Sequence, residues 1–175
     1  MPMKFYIKSV SLMNVKSYSN ETTVEFQKGT NAISGENGAG KSTIIEAIGY
    51  ALFDSRPYTN MKSMIRHGKK SGEVRVSVRG VDGRDYLIVR SIGGNSKFYV
   101  LDEALHSKIS SERKEEVLNS MRQIMGIAPL GETPRDGPAM RMTTALHGLR
   151  THSIQFFFYV WLLLTKNPLC LRQPI

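Results

Sequence analysis

Residues 33–43, ISGENGAGKST, decide how the rest of the chain is read. Gly35, Glu36, Asn37, Gly38, Ala39, Gly40, Lys41 and Ser42 fill the pattern G-x-x-x-x-G-K-[ST] without a mismatch. Small residues let the N–H groups of Asn37, Gly38, Ala39 and Gly40 turn inward around an anion, and a helix starting at Lys41 adds the partial positive charge of its N-terminus. Lys41 then reaches the β and γ phosphates as a point charge, the Ser42 hydroxyl ligates Mg²⁺, and Thr43 lies against the α phosphate. The plainer alternative is a helix-capping glycine turn that happens to carry a lysine and a serine. Context favours phosphate: NAIS (31–34) runs into the loop as a short strand, and Ile44, Ile45, Ala47, Ile48, Ala51 and Leu52 follow as one helical face.

Working outward, MKFYIKSVSL (3–12) and the alternating TTVEF (22–26) read as strands. GEVRVSVRG (72–80) and RDYLIVRSI (84–92) flank an Asp-Gly turn of the kind hairpins prefer, and KFYVLD (97–102) reads as a third strand. SERKEEVLNSMRQIMGI (111–127) predicts a helix with Ser110 or Ser111 as N-cap, Gly126 as stop, and Val117, Leu118, Met121, Ile124 and Met125 as its apolar face. Past Ala128 the periodicity fades. Five of the seven prolines lie there, so residues 128–175 are set apart as an atypical tail and 1–127 as one lobe. The apolar run FFFYVWLLL (156–164) is far short of the roughly 20 residues a membrane helix needs.

The 175 residues suit one domain or one lobe of a larger one, and 24 Lys and Arg against 15 Asp and Glu leave a charge of +9 that favours polyanions. One cysteine, Cys170, excludes a disulfide scaffold, and the first residues lack the apolar core of a signal peptide. The reducing interior, cytoplasmic (nucleoid-associated) or nuclear, is the expected compartment. The densest basic run is Lys62, Arg66, His67, Lys69, Lys70, Arg75 and Arg79; at strand spacing the last two share a face, so the run either tracks a DNA backbone or is simply solvated. His67, His106, His147 and His152 have no metal-ligand spacing.

The amino-terminal half resembles the ATPase segment of the Rad-fifty family of double-strand-break repair ATPases, related to SMC and RecF proteins. The resemblance rests on Asn14-Val15-Lys16-Ser17, then VEF, then Gly29-Thr30-Asn31, the loop Gly35 to Thr43, and the I-x-E-A-I helix that follows. It implies an α/β P-loop NTPase lobe of the ABC/SMC head type, made of a mixed sheet, the loop helix and an antiparallel β subdomain. It also implies that Lys16 and Ser17 sit beside the phosphates, that ATP and Mg²⁺ are bound, that two heads sandwich the nucleotide as a homodimer, and that DNA and a nuclease subunit are the partners. In that family the Walker B strand, signature motif and switch histidine lie in the carboxy-terminal half. Asp102-Glu103, which has a Walker B outline, is therefore read as the polar exit of an edge strand. Gln155 is the candidate second Mg²⁺ ligand by its distance from Lys41, although Phe156 stands where a glycine is expected and an ordinary polar residue fits as well. Two other classes stay open: a P-loop module that binds DNA or a protein without catalysis, and a self-contained kinase or GTPase, which would need a base-reading or lid motif.

Overall fold

Alternating apolar and polar residues underlie the longer strands. The computed structural model describes residues 5–127 apart from 30, 57, 95–96 and 110–112. Gln155, the run at 156–164, His147, His152 and Cys170, like the proposed N-caps Ser110 and Ser111, lie outside the described residues. In chain order come β1 (Tyr6–Met13), β2 (Thr22–Glu25), α1 (Lys41–Phe53), β3 (Gly72–Arg79), β4 (Asp85–Ile92), β5 (Phe98–Asp102), β6 (Ser107–Lys108) and α2 (Lys114–Met125), with a 3-10 turn at Met61–Met64. The strands form one sheet in the order β2-β1-β3-β4-β5-β6.

Every pairing in this sheet is antiparallel, which corrects the expected mixed sheet. A strand exists through its hydrogen-bonded ladder, and no described strand runs beside residues 31–34, so NAIS enters the glycine loop without strand structure. The expected antiparallel β3–β4 hairpin is present and is continuous with the first strand, because β1 pairs with β3 from Glu73 to Arg79. The Asp-Gly turn is as expected: Gly83 has φ 80°, and the Asp82 carboxylate accepts the Arg84 N–H at 3.1 Å.

Three rows of side chains cross one face of the sheet: Leu12, Val74, Arg90 and Phe98; Val10, Val76, Ile88 and Val100; Ile7, Val78, Tyr86 and Asp102. A register shift between Ile7 and Ser9 places Lys8 and Ser9 in succession on the other face and returns Val10 and Leu12 to this one. Helix α1 lies across β1, β3 and β4 and buries Ile44, Ala47, Ile48, Ala51 and Leu52 on the rows; α2 lies on β5 through Val117, Met121 and Ile124. The helix starts at Lys114, after Arg113 as an uncapped N-cap, and stops at Gly126 in the left-handed conformation as its composition predicts.

Two members of the rows are charged, Asp102 and Arg90. Arg90 is 5% exposed, its guanidinium lies between the Tyr50 and Phe98 rings at 3.8 and 4.2 Å, and it donates to Tyr50 O at 2.5 Å and to the Asp54 carboxylate. Asp54 ends α1 in a left-handed conformation and also receives Lys114 from the start of α2, so one carboxylate joins the sheet to both helices. Burial works against its ionisation, but Lys114 and Arg90 outweigh burial and hold its pKa below the ordinary 3.8.

Asn tolerates the left-handed conformation, so Asp54→Asn tests the charge alone. Removing the only acidic group that meets buried Arg90 among the described residues is expected to lower stability at pH 7 by about 3 kcal/mol in urea denaturation. Because the folded-state pKa is lowered, this contribution is complete above 3.8 and is lost as pH falls through the lowered value. The variant's stability should accordingly be less steep in acid than the parent's.

Candidate nucleotide site

The glycine loop is reached through a turn stitched by Asn31. Its Oδ1 accepts the Gln27 N–H at 2.9 Å, and its Nδ2 donates to Gln27 O at 2.9 Å and to Gly29 O at 3.3 Å. Beyond it, Gly38 and Gly40 have φ of 83° and 98°, values that a side chain strongly disfavours. Lys41 folds its ammonium back into the loop, donating to Gly35 O at 2.7 Å and Glu36 O at 2.6 Å. Helix α1 begins at Lys41 with no side-chain cap and no acidic residue in its first turn. Its first N–H groups, the folded lysine and the exposed Ser42 gather donors at the helix start that could receive a phosphate chain, and Ser42 is the residue there that could hold Mg²⁺. Bound there, Mg²⁺ would neutralise phosphate charge, and Lys41 and the loop amides would orient the chain. Thr43 is buried under the first turn.

The strip after β1 leans on this loop. Ser17 Oγ donates to Gly38 O at 3.4 Å and Tyr18 Oη to Gly40 O at 3.2 Å, and the Tyr18 ring covers Gly40 so closely that a Cβ there would stand 3.0 Å from it. Asn14 and Lys16 both have positive φ, 54° and 44°. That conformation is held from the far side: Lys16 N donates to Met64 O at 2.9 Å, and Arg66 Nη1 donates to Lys16 O at 3.1 Å and Ser17 O at 3.0 Å. Lys16 Nζ meets Glu46 Oε2 of α1 at 2.8 Å and also the Tyr58 hydroxyl, whose ring centroid is 4.3 Å away; Tyr58 itself donates to Glu46 at 2.8 Å. Burial works against the Lys16 ammonium, but Glu46 and Tyr58 outweigh it and raise its pKa above 10.5.

The structure thus brings Lys16, Ser17 and residues 37–43 together. Glu46 was in view within I-x-E-A-I, four residues past Ser42 and so on its face of the helix, yet its partner was not legible. Tyr18 and Tyr58 carried no local signal.

The basic run divides. Lys62, Lys69 and Lys70 are exposed, whereas Arg66 braces the Lys16 strip. Arg75 and Arg79 do share the sheet face away from the helices, but Arg75 meets Glu73 at 2.6 Å and Glu21 at 2.8 Å, and Arg79 is bidentate to Asp85. Asp102 is 3% exposed and caps the turn after β5, accepting the N–H groups of Ala104 and Leu105 at 2.9 and 3.1 Å; Glu103 accepts Ser77 Oγ at 2.7 Å. Both lie at the polar exit of β5 as expected, but β5 is not an edge strand, because β6 pairs beyond it.

A family model described as an AAA domain matches residues 9–157. The DNA double-strand break repair Rad50 ATPase of Methanocaldococcus jannaschii is 34% identical over 128 residues, covering 71% of this chain and 12% of that protein. The chain therefore spans about an eighth of the length of this relative. A structure of SMC ATPases, from work on ATP-driven dimerization and DNA-stimulated activation, superposes with a TM-score of 0.57 at 22% identity, covering 89% of this chain and 97% of that one. The recombination mediator protein RecF with ATP superposes with a TM-score of 0.57 at 20% identity, over 91% of this chain and 42% of that one. These likenesses establish the fold as that of the P-loop, ABC-type ATPase heads.

Gly40→Ala is expected to destabilise the chain by about 1–3 kcal/mol, read by chemical denaturation, because the left-handed backbone is strained by any side chain. Adding Tyr18→Ala should recover only the part that comes from the ring.

Proposed function

We propose that this chain, which belongs to the AAA domain family and is the amino-terminal segment of an SMC-like ATPase, binds ATP with Mg²⁺ in the service of DNA double-strand-break repair. The observation that carries the reading is the arrangement of Lys41 over the Gly35 and Glu36 carbonyls at the uncapped start of α1. The charged lysine is held in the mouth of the loop by two neutral acceptors, which a phosphate can replace with stronger, charge-assisted bonds. Ser42 supplies the metal ligand, and Lys16 and Ser17 supply further donors from the side. Gln155 remains the proposed second ligand.

Hydrolysis needs an acidic metal ligand and a group that orients water. Among the described residues the nearest sequence candidates, Asp102 and Glu103, are occupied in turn capping and in the Ser77 contact. The chain is accordingly proposed as the binding half of a composite site, completed by a carboxy-terminal lobe and by a second head across the nucleotide. DNA is the proposed polyanion and a nuclease subunit the proposed partner. Lys62, Lys69 and Lys70 are the cations best placed for a phosphate backbone, since Arg75 and Arg79 already face carboxylates. Among the described residues no helix is long and apolar enough to cross a membrane; the proposed location, following the proposed work on DNA, is the cytoplasm at the nucleoid, or the nucleus.

Titration with labelled ATP and Mg²⁺ should show binding that weakens roughly 10- to 100-fold in Lys41→Ala, the range of a lost hydrogen bond to a charged group. Turnover in the same tubes should be negligible; Lys41-dependent turnover by the chain alone would return Asp102 and Glu103 to consideration. For duplex DNA, replacing Lys62, Lys69 and Lys70 by alanine should weaken binding uniformly across sequences and reduce the slope of log K against log salt by about 2–3. An unchanged slope removes these lysines from the interface.

A further inference from the structure

The ammonium of Lys16 is more fully occupied than a surface lysine's. It is 28% exposed and is shared between the Glu46 carboxylate, itself 16% exposed, and the Tyr58 hydroxyl, with the Tyr58 ring beneath it. Glu46 follows Ser42 by four residues on α1, so the two side chains share one helix face with their Cβ atoms about 6 Å apart. The backbone that carries Lys16 is fixed independently of its side chain, by Met64 O and the Arg66 guanidinium, and the next residue touches Gly38 of the loop. The lysine side chain can therefore turn without moving its backbone, and Ser42 stands about one helical turn from its present partner Glu46.

We propose that Glu46 and Tyr58 form a latch on Lys16, holding its ammonium one helical turn behind Ser42 until a phosphate group enters the glycine loop, when Lys16 exchanges the carboxylate for a phosphate oxygen. The latch rests on the reading of that loop as a nucleotide site and adds to it a cost of opening. In the latched state Lys16 is neutralised, so the loop draws less on its charge; in the open state Tyr58 keeps its bond to Glu46 but loses its cation. Because Tyr58 is a partner of the lysine side chain itself, the same exchange ties nucleotide occupancy to Tyr58, in the segment that leads to exposed Lys62, Lys69 and Lys70. A purely structural ion pair would do none of this: breaking it would loosen the fold and leave binding unchanged or weaker.

The test is a double-mutant cycle in the 175-residue chain, with affinity for ATP and Mg²⁺ measured by calorimetry and folding checked by thermal melting. Glu46→Gln should tighten binding roughly three- to fivefold, the range of a partly exposed ion pair. Tyr58→Phe, which keeps the ring and loses the hydroxyl, should tighten it less, and Lys16→Met should weaken it. In the Lys16→Met background Glu46→Gln should bring no gain. A gain that survives there overturns the latch, because Glu46 would then act on the phosphate directly. Unchanged or weaker binding in both Glu46→Gln and Tyr58→Phe also overturns it, and if Glu46→Gln fails to fold, Tyr58→Phe decides. Lys41-dependent binding without the Lys16-dependent gain defeats the latch alone; absence of Lys41-dependent binding in the unmodified chain defeats the nucleotide reading and the latch together.

Discussion

Backbone pairing between β1 and β3 joins Ser11 to Arg75 and Leu12 to Val74 across the whole loop, helix and turn that separate them in the chain. Without it α1 has no floor, because the rows it buries are built from Val10 and Leu12 on one strand and Val74 and Val76 on the other. The pairing also ends where the site begins. Gly72, the first residue of β3, lies so close to the β1 exit that a Cβ would stand 2.7 Å from Asn14 O. Only glycine admits that approach, and through it the strip Asn14 to Tyr18 is set against the start of the hairpin on one side and the glycine loop on the other.

Strain accompanies this placement. Asn14 and Lys16 take left-handed backbone conformations that cost free energy for residues with side chains, and hydrogen bonds to Met64 O and from Arg66 hold them there. Such a conformation persists when several contacts determine it at once. Arg66 is spent on this task, which is why a residue that looks like part of a basic run instead braces the strip beside the glycine loop. The same logic applies on the far face of the sheet, where Arg75 and Arg79 are matched by Glu73, Glu21 and Asp85.

Local patterns were readable because their causes are local. The left-handed glycines at 38 and 40, the apolar face of α1, the Asp-Gly hairpin and the Gly126 stop each follow from steric or periodic rules that act within a few residues. The start of α2 and the state of residues 31–34 were misread for a complementary reason. A helix begins where its first hydrogen bonds close, and a strand where a neighbouring backbone accepts its ladder; neither neighbour is named by the segment itself. Charge was the least legible quantity. Lys16 beside Glu46, and Arg90 between two rings above Asp54, depend on partners 30 and 36 residues away.

The sequence by itself determined the backbone of the loop, since left-handed turns require glycine at fixed spacings ahead of the helix that starts at Lys41, and it determined the family through the order of those motifs. Tertiary structure decided which cations are free to meet a ligand. Whether a lysine or arginine is available depends on the carboxylates, carbonyls and rings that the folded chain carries to it, and those distances arise only when β1 and β3 close the sheet.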